Sequence, residues 1–295
     1  EMKRTTCGSQ SLQEYVAEED CVAVKKLKDA GALILGKTAT YEFAYGIQSL
    51  KSPVEPVRSA WDLSREAGGS SSGSGGAVAA GMAYAGMGSC TGGSIRWPAQ
   101  CLLHVGLKAT YGRVSLNGMR LLAPTFDTPG PMARTTMDAA LLLRAMTDPS
   151  DEKQVGEAVR LTHLTSDAGP GLEGLRVGVP SSFFFDDIDE QVERAVKGAI
   201  DALAALGAEL VAVELPSLPA IIESHLGILI LEAHNTIQQV TGGDLSKVGK
   251  PVRERLAKGL STTPKYGEDP VVALGRLRAT RDDALAKYRQ ATGNI

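Results

Sequence analysis

A strand–helix–strand pattern in the second half of the chain constrains the fold most. Residues 175–179 (LRVGV) and 209–216 (ELVAVELP) are short apolar runs typical of buried strands. Between them, a helix that ends at Gly207 carries apolar side chains on one face: Val192, Val196, Ile200 and Leu203. Because the crossover in such a unit is right-handed, we expect the two strands to pair in parallel. The predicted fold class is therefore α/β, with a large mixed, mostly parallel β-sheet covered by helices on both faces.

The remaining patterns add helices and strands to a single main domain. They predict a helix over 21–30 followed by a strand at 32–35, a small-residue helix from Ala77 to Met87, and helices over 221–237 and 271–288. Thr135 and Asp138 form a capping-box pattern ahead of the apolar run MDAALLLRAM, which indicates another helix. A polar segment at 148–174 predicts a loop or a shift to a second lobe, and it divides residues 1–150 from residues 151–295.

Composition narrows the classes of function. The 295 residues are 43% hydrophobic and 22% charged, as in an ordinary globular protein. The net charge of −3, without a clustered Lys/Arg stripe, argues against nucleic acid as a direct ligand. No apolar stretch approaches the length of a membrane span and no signal peptide is visible, so no membrane contact and a cytoplasmic location are expected. The opening EMKRTTCGSQ is no obvious natural start, which leaves open that the sequence is a piece of a longer protein.

The four cysteines are scattered without C-x-x-C spacing, so the sequence predicts neither a zinc site nor a disulfide framework. We expect no metal and no cofactor.

Residues 31–38 (GALILGKT) match the phosphate-binding pattern G-x-x-x-x-G-K-[ST] letter for letter. A P-loop requires a strand, an irregular turn and then a helix, so that backbone N–H groups point at phosphate. Here the residues between the two glycines form an apolar run, and the predicted helix precedes it. Since the order of elements is reversed, the match does not indicate a nucleotide site. The ordinary interpretation of Lys37 is a solvated lysine just after a strand, unless other chemistry requires it.

Residues 67–81 (AGGSSSGSGGAVAAG) have the most unusual composition in the chain. A flexible linker would have such a composition, but this segment continues into small apolar residues that can be buried. Gly69, Ser71 and Gly73 also fit the nucleophile-elbow pattern G-x-S-x-G. That motif needs a buried strand before it and a histidine base, whereas WDLSREA precedes it and no histidine lies in a recognisable motif. The elbow interpretation is therefore disfavoured.

Serine chemistry remains available without a histidine. A serine hydroxyl becomes a good nucleophile when a neighbouring base takes its proton. Lysine can be that base if it is neutral, and burial among apolar residues favours the neutral form. Lys37, at the end of the apolar run, is suitably placed. A second compact group, CTGGSIRWP, contains Ser94, and the successive N–H groups of Thr91, Gly92, Gly93 and Ser94 could form an oxyanion hole.

Several separated blocks, in order and spacing, resemble the amidase signature family: GALILGKT, GGSSSGSGGAVAAG, TGGSIRWPA, GLKATYGRVS and FDTPGPMART. The resemblance is close from Thr5 to Met146 and looser around LRVGVP. In that family a Ser, cis-Ser, Lys triad hydrolyses amides. The resemblance implies Ser94 as the nucleophile, Ser70 as the bridging serine in a cis peptide, and Lys37 as the base.

The resemblance also implies residues that support the site, and here the sequence departs from the family. The family commonly has an Asp where Cys90 stands, which affects a polar contact of the nucleophile loop but removes no triad member. We expect Arg96 to brace that loop rather than bind substrate, and Asp127 either to bond the serine loops or to cap a turn. Packing is the better interpretation of Trp97. The supporting set is Ser71, Cys90, Arg96 and Asp127.

The implied function is hydrolysis of a small-molecule carboxylic amide, with esters and carbamates as further substrates, through an acyl-enzyme on Ser94. One alternative is a protein like the amidase-type subunit of a glutamine-dependent amidotransferase, which releases ammonia from glutamine for a partner. Trp97, where that subfamily would have a glutamine, counts modestly against it. A second alternative is an inactive scaffold of the same fold, which the presence of Lys37, Ser70 and Ser94 opposes. The sequence leaves the substrate and a homodimer open.

Overall fold

The computed structural model describes residues 4–45, 55–147, 171–215, 218–263 and 268–293. The chain forms two compact units: one comprises Glu1–His163 and Leu229–Pro264, the other Leu164–Ile228 and Lys265–Ile295. Most of the polar segment at 148–174 lies outside the described residues, so the predicted division at residue 150 stays a prediction.

The first unit contains a small antiparallel sheet with helices packed against it. Its strands are β1 (Ala85–Cys90), β2 (Val105–Gly106) and β3 (Thr128–Ala133), in the order β1-β3-β2. The helices within residues 4–147 are α1 (Val22–Asp29), α2 (Ser72–Ala79), α3 (Arg96–Leu102) and α4 (Thr136–Met146), with short 3-10 turns at Gln10–Leu12 and Glu42–Ala44. In the register between β1 and β3, Ala85 lies opposite Ala133 and Cys90 opposite Thr128. The end of β1 therefore lies beside the start of β3.

The second unit contains the predicted strand–helix–strand pattern. It consists of β4 (Arg176–Pro180), α5 (Glu190–Ala205) and β5 (Glu209–Val213), and the two strands pair in parallel with Arg176 opposite Glu209. Gly207 follows α5 with a positive φ of 98°, as expected for a residue that ends a helix.

Three helices lie towards the end of the chain: α6 (Leu218–Thr241), α7 (Lys250–Thr262) and α8 (Pro270–Thr292). In the described part of the chain, no helix has both the length and the apolar composition needed to cross a membrane.

The structure confirms the α/β class and corrects its details. The described strands form a three-stranded antiparallel sheet and a two-stranded parallel sheet, not one large, mostly parallel sheet. The strand expected at 32–35 is wrong, because Leu33, Ile34 and Leu35 are exposed and pair with no strand of the described chain. The small-residue helix begins at Ser72, not Ala77, and Ala85 already belongs to β1.

Other local predictions are confirmed. Helix α1 ends before Gly31, which has a φ of 89°. The Thr135 hydroxyl caps α4, since it accepts a hydrogen bond from the Asp138 N–H at 3.1 Å. Helix α7 is missing from the predictions, although its N-terminal end is well defined: the Glu42 carboxylate accepts hydrogen bonds from the Gly249 N–H at 2.9 and 3.0 Å.

The largest apolar cluster in the first unit joins the 3-10 turn at Glu42–Ala44 to two later helices. Its buried members are Phe43, Tyr45, Leu122, Ala123, Leu229, Ala233, Ile237, Val248, Val252 and Leu256. Since contacts of this kind supply most of the driving force for folding, these parts of α6 and α7 belong structurally with the first half of the chain. The segment around Leu122 is consequently held against α6.

Gly130 in β3 provides a test of this packing. A Cβ atom there would lie 2.3 Å from the backbone oxygen of Leu107, a contact that neither backbone can relieve without moving. We expect Gly130→Ala to lower the free energy of unfolding by about 2 to 3 kcal/mol. A Cβ at Gly36 would meet nothing within 4 Å, so Gly36→Ala should change the free energy of unfolding by less than about 0.5 kcal/mol. Urea unfolding, monitored by circular dichroism, compares the two variants. Equal stabilities would contradict the close packing of Gly130 against Leu107.

Candidate active site

The serine-glycine segment runs so close to residues 39–41 that only glycine fits at two positions. A Cβ at Gly69 would lie 2.3 Å from the ring of Tyr41, and a Cβ at Gly73 would lie 2.5 Å from the backbone of Ala39. The Gly73 N–H donates to the Ala39 oxygen at 2.9 Å, which fixes this approach. The close contact of two backbones places Ser70 at the start of the turn that leads into α2.

Ser70 is buried, with 4% of its surface exposed. Its peptide bond to Gly69 is cis, as the resemblance implies. Its carbonyl oxygen accepts hydrogen bonds from the Tyr41 N–H at 3.1 Å and from the Thr40 hydroxyl at 2.8 Å. The Ser70 Oγ, in contrast, has no hydrogen-bond partner among the described residues, and in this segment Ser72 Oγ shares that state. A buried hydroxyl without a partner is rare and marks a candidate functional group.

The loop that contains Ser94 lies beside this turn. The Ser71 N–H donates to the Ser94 carbonyl oxygen at 3.3 Å, so the backbones of the two serine loops are in contact. The Ser71 hydroxyl also bridges to β1, since it accepts from the Ser89 N–H at 3.2 Å and donates to the Ser89 oxygen at 3.3 Å. Ser94 itself is half-buried. Ser71, the residue after Ser70, thus ties the serine-glycine segment both to Ser94 and to β1.

Residues 91–94 form the turn between β1 and α3. Gly93 has a φ of 147°, which few other residues adopt, and its carbonyl accepts from the Trp97 N–H at 2.8 Å. Among the described residues, no hydrogen bond engages the N–H groups of Thr91, Gly92, Gly93 or Ser94. These groups therefore remain available to an oxyanion.

Asp127, directly before β3, anchors this turn. Its Oδ1 accepts from the Thr91 hydroxyl at 2.6 Å, and its Oδ2 accepts from the N–H groups of Leu122 at 2.6 Å and Ala123 at 3.1 Å. Burial raises the pKa of the Asp127 carboxyl above its ordinary value, these three hydrogen bonds lower it, and the charge of Glu232 raises it further. The carboxyl thus both closes the turn at Leu122–Asp127 and holds the first residue of the 91–94 turn.

Lys37 does not lie where the sequence placed it. The expectation of a buried lysine is wrong: Lys37 is exposed, and its ammonium group donates to the Thr5 hydroxyl. The run before it cannot bury it, because the side chains of Leu33 and Leu35 are 88% and 69% exposed. The structure therefore brings Ser70 and Ser94 into neighbouring loops but does not bring Lys37 to the Ser70 hydroxyl.

The other predicted supporting residues lie near the 91–94 turn. Cys90 is fully buried at the end of β1, and the Arg96 guanidinium lies 3.8 Å from its sulfur. Because a thiol is a weak acceptor, this contact is weaker than a bond to a carboxylate would be. Trp97 is 42% exposed and packs edge-on against the ring of Tyr41, with the ring centroids 6.3 Å apart.

The two sequence matches, to the P-loop and to the nucleophile elbow, do not adopt the structures of those motifs. No strand precedes Gly69 in residues 59–68, and no helix follows Thr38 directly, so the nucleophile elbow and the P-loop are both absent from these described segments. Sequence reasoning missed Glu232, a buried carboxylate in α6 that contacts Thr125. The only signal was an acidic residue inside an apolar helical pattern.

Comparison with known proteins gives a consistent result. The sequence model of the family described as Amidase matches residues 1–269. A glutamyl-tRNA(Gln) amidotransferase subunit of Chromohalobacter salexigens is 42% identical over 241 residues, which are 81% of this chain and 49% of that protein. The corresponding protein of Carboxydothermus hydrogenoformans is 44% identical over 213 residues, 72% of this chain and 44% of that protein. The chain thus spans about half the length of the curated relatives it matches.

Solved structures agree with the sequence comparison. The peptide amidase of Stenotrophomonas maltophilia is similar with a TM-score of 0.73 and 30% identity, over 94% of this chain and 61% of that one. The glutamyl-tRNA(Gln) amidotransferase subunit of Thermotoga maritima has a TM-score of 0.73 and 31% identity, over 99% of this chain and 61% of that one. Because the family match covers most of the sequence and the fold is shared over nearly all of it, the chain belongs to the amidase signature family.

Proposed function

We propose that the chain takes part in hydrolysis of a carboxylic amide, with Ser94 as the nucleophile and Ser70 as the hydroxyl that relays its proton. The observation that supports this most is the contact of the two serine loops, in which the Ser71 N–H donates to the Ser94 oxygen while the neighbouring Ser70 Oγ is buried and unpartnered among the described residues. An unpartnered hydroxyl beside a half-buried serine can exchange protons with it once the two side chains rotate towards each other.

The proposed reaction has two stages. Ser94 Oγ attacks the amide carbonyl carbon as Ser70 accepts its proton and passes its own hydroxyl proton to a base. The resulting oxyanion is held by the N–H groups of Thr91, Gly92, Gly93 and Ser94. The C–N bond then breaks, the amine leaves with a proton returned through Ser70, and an acyl ester remains on Ser94. Water attacks this ester by the same route, which releases the acid and restores the serine.

The base that accepts the proton from Ser70 is a separate question. The resemblance assigns this role to Lys37, and that assignment stays a prediction. The geometry does not favour it, because the ammonium group is exposed and bonded to Thr5. The assignment would require Lys37 to leave Thr5 and enter the buried region around Ser70.

A second function is favoured by the names of the relatives. Proteins 42% and 44% identical to this chain are called amidotransferase subunits. We infer that glutamine is a candidate substrate and that a partner protein could receive the ammonia. The purified chain, with and without candidate partners, should be assayed for hydrolysis of glutamine and, in parallel, of a panel of simple amides. Glutamine turnover that rises when a partner is added would favour this second function, whereas amide turnover unaffected by a partner would favour the first.

We expect Ser94→Ala to lower amide turnover by at least about 10³-fold, since it removes the nucleophile. The variant should also lose covalent labelling by a fluorophosphonate, measured by intact mass. Ser261→Ala is the matched control, because Ser261 is exposed on α7 and its hydroxyl donates to the Lys258 carbonyl within the same helix. Hydrolysis by Ser94→Ala at the rate of this control would refute the assignment.

We expect Lys37→Ala to reduce turnover much less than Ser94→Ala, by under about tenfold, because the ammonium group is exposed and donates to Thr5, while the Ser70 hydroxyl has no hydrogen-bond partner among the described residues. The measurement is kcat and KM for both variants with one amide substrate. Lys25→Ala is a suitable control, since Lys25 is also exposed and pairs with Asp29 at 2.9 Å. A loss for Lys37→Ala as large as that for Ser94→Ala would instead establish Lys37 as the base.

A further inference from the structure

Glu232 is a buried carboxylate that holds a loop of the site from a distant part of the chain. It lies in α6 with 6% of its surface exposed. Its Oε2 accepts from the Thr125 N–H at 2.9 Å, and its Oε1 accepts from the Thr125 hydroxyl at 2.5 Å. Both oxygens of the Glu232 carboxylate thus accept from Thr125, and two bonds to one residue fix the position of Thr125 relative to α6.

Thr125 lies in the turn that Asp127 closes. The N–H groups of Phe126 and Asp127 both donate to the Ala123 oxygen at 2.9 Å, so the turn is compact. Asp127 accepts from Leu122 and Ala123 within the turn and from the Thr91 hydroxyl outside it. A displacement of Thr125 therefore changes the place of the Asp127 carboxyl, and with it the place of Thr91.

The energetic cost of Glu232 argues for a role beyond stability. Its neighbours in α6, Leu229, Ala233 and Ile237, belong to an apolar core, where a buried carboxylate loses most of its hydration. Its charge also raises the pKa of Asp127, so it disfavours ionisation of that carboxyl. An apolar residue of similar volume could not accept the two hydrogen bonds from Thr125, so it could not hold the turn in this position.

We propose that Glu232 is a positioning residue, which sets the geometry of the Thr91–Ser94 turn through Thr125 and Asp127. This inference rests on the proposed function, since it assigns the turn to oxyanion binding. The effect of Glu232 on the turn passes through those two intermediate residues, which link α6 to the site.

Glu232→Gln tests the role with little change in shape. The amide oxygen still accepts from the Thr125 N–H, but the charge is gone and the Thr125 hydroxyl must reverse its direction. We expect kcat to fall about tenfold with KM within about twofold, because the loss falls on the transition state. The rate of Ser94 labelling by a fluorophosphonate should fall by a similar factor. Glu254→Gln is the control, since Glu254 lies on α7 with 66% of its side chain exposed and pairs with Lys250.

The pH profile separates positioning from simple destabilisation. The groups that face the Asp127 carboxyl are the Thr91 hydroxyl, the N–H groups of Leu122 and Ala123, and the charge of Glu232. Ionised Asp127 accepts from all three donors, whereas a protonated carboxyl turns one oxygen into a donor. Because Glu232 raises the pKa of Asp127, its removal lowers that pKa. The acid limb of kcat should therefore move to lower pH in Glu232→Gln and stay in place in Glu254→Gln.

Two outcomes overturn the proposal. The first is a folded Glu232→Gln variant whose kcat, and the acid limb of whose pH profile, equal those of the parent chain. The second is a loss of activity that a lower unfolding midpoint explains in full, with the acid limb unmoved. Thr125→Val, which removes one of the two bonds, should show the same loss in kcat to a smaller extent. Failure of the proposed function itself is recognised separately, because the parent chain would then neither hydrolyse amides nor be labelled on Ser94.

Discussion

Close contact between backbones is the constraint on which the candidate site depends. The serine-glycine segment can enter the space between residues 39–41 and β1 only because it lacks side chains at the contact points. On the opposite wall, a Cβ at Gly88 of β1 would lie 2.9 Å from the Ser71 hydroxyl and 2.9 Å from the sulfur of Met132. The small residues that make the segment resemble a flexible linker are therefore the reason that it is held rigidly. Ser70 and Ser71 are thus placed by the close approach of glycines to neighbouring atoms, together with the hydrogen bonds of Ser71.

Polar groups in this region are mostly paired, and one of the exceptions, the Ser70 Oγ, belongs to the proposed chemistry. The Ser71 and Ser74 hydroxyls both bond to the backbone of β1, at Ser89 and Met87, which ties the segment to the strand. The Thr91 hydroxyl is satisfied by Asp127. Since buried polar groups are normally satisfied, the buried Ser70 Oγ, which has no partner within the described residues, is the atom that supports a functional role most directly. The N–H groups of the 91–94 turn, which bond to no described residue, lie in the neighbouring loop.

Sequence patterns predicted those features that short-range interactions determine. Helix α1, the Thr135 cap of α4 and the parallel pair β4–β5 follow from periodicity, capping residues and crossover handedness. The pairing of β1 with β3 was not predicted, because its residues, AGMGSC and TPGPMA, lack the alternation of a typical strand. The contacts of Glu42 with Gly249 and of Glu232 with Thr125 join residues that are 207 and 107 positions apart, and no local pattern encodes such distances.

The unexpected exposure of Lys37 has the same physical origin. An apolar run indicates that burial would be favourable, but burial requires a partner surface, and the described residues place none over Leu33 and Leu35. The two serine loops, in contrast, are joined to each other by the bond from the Ser71 N–H to the Ser94 oxygen, and the second loop is joined to Asp127 through the Thr91 hydroxyl. The proton acceptor in such a site must be kept from water and within reach of a hydroxyl, and both conditions depend on long-range packing. A motif that names the residue type therefore does not by itself locate the base, whereas two serine loops in backbone contact do indicate where a nucleophile can act.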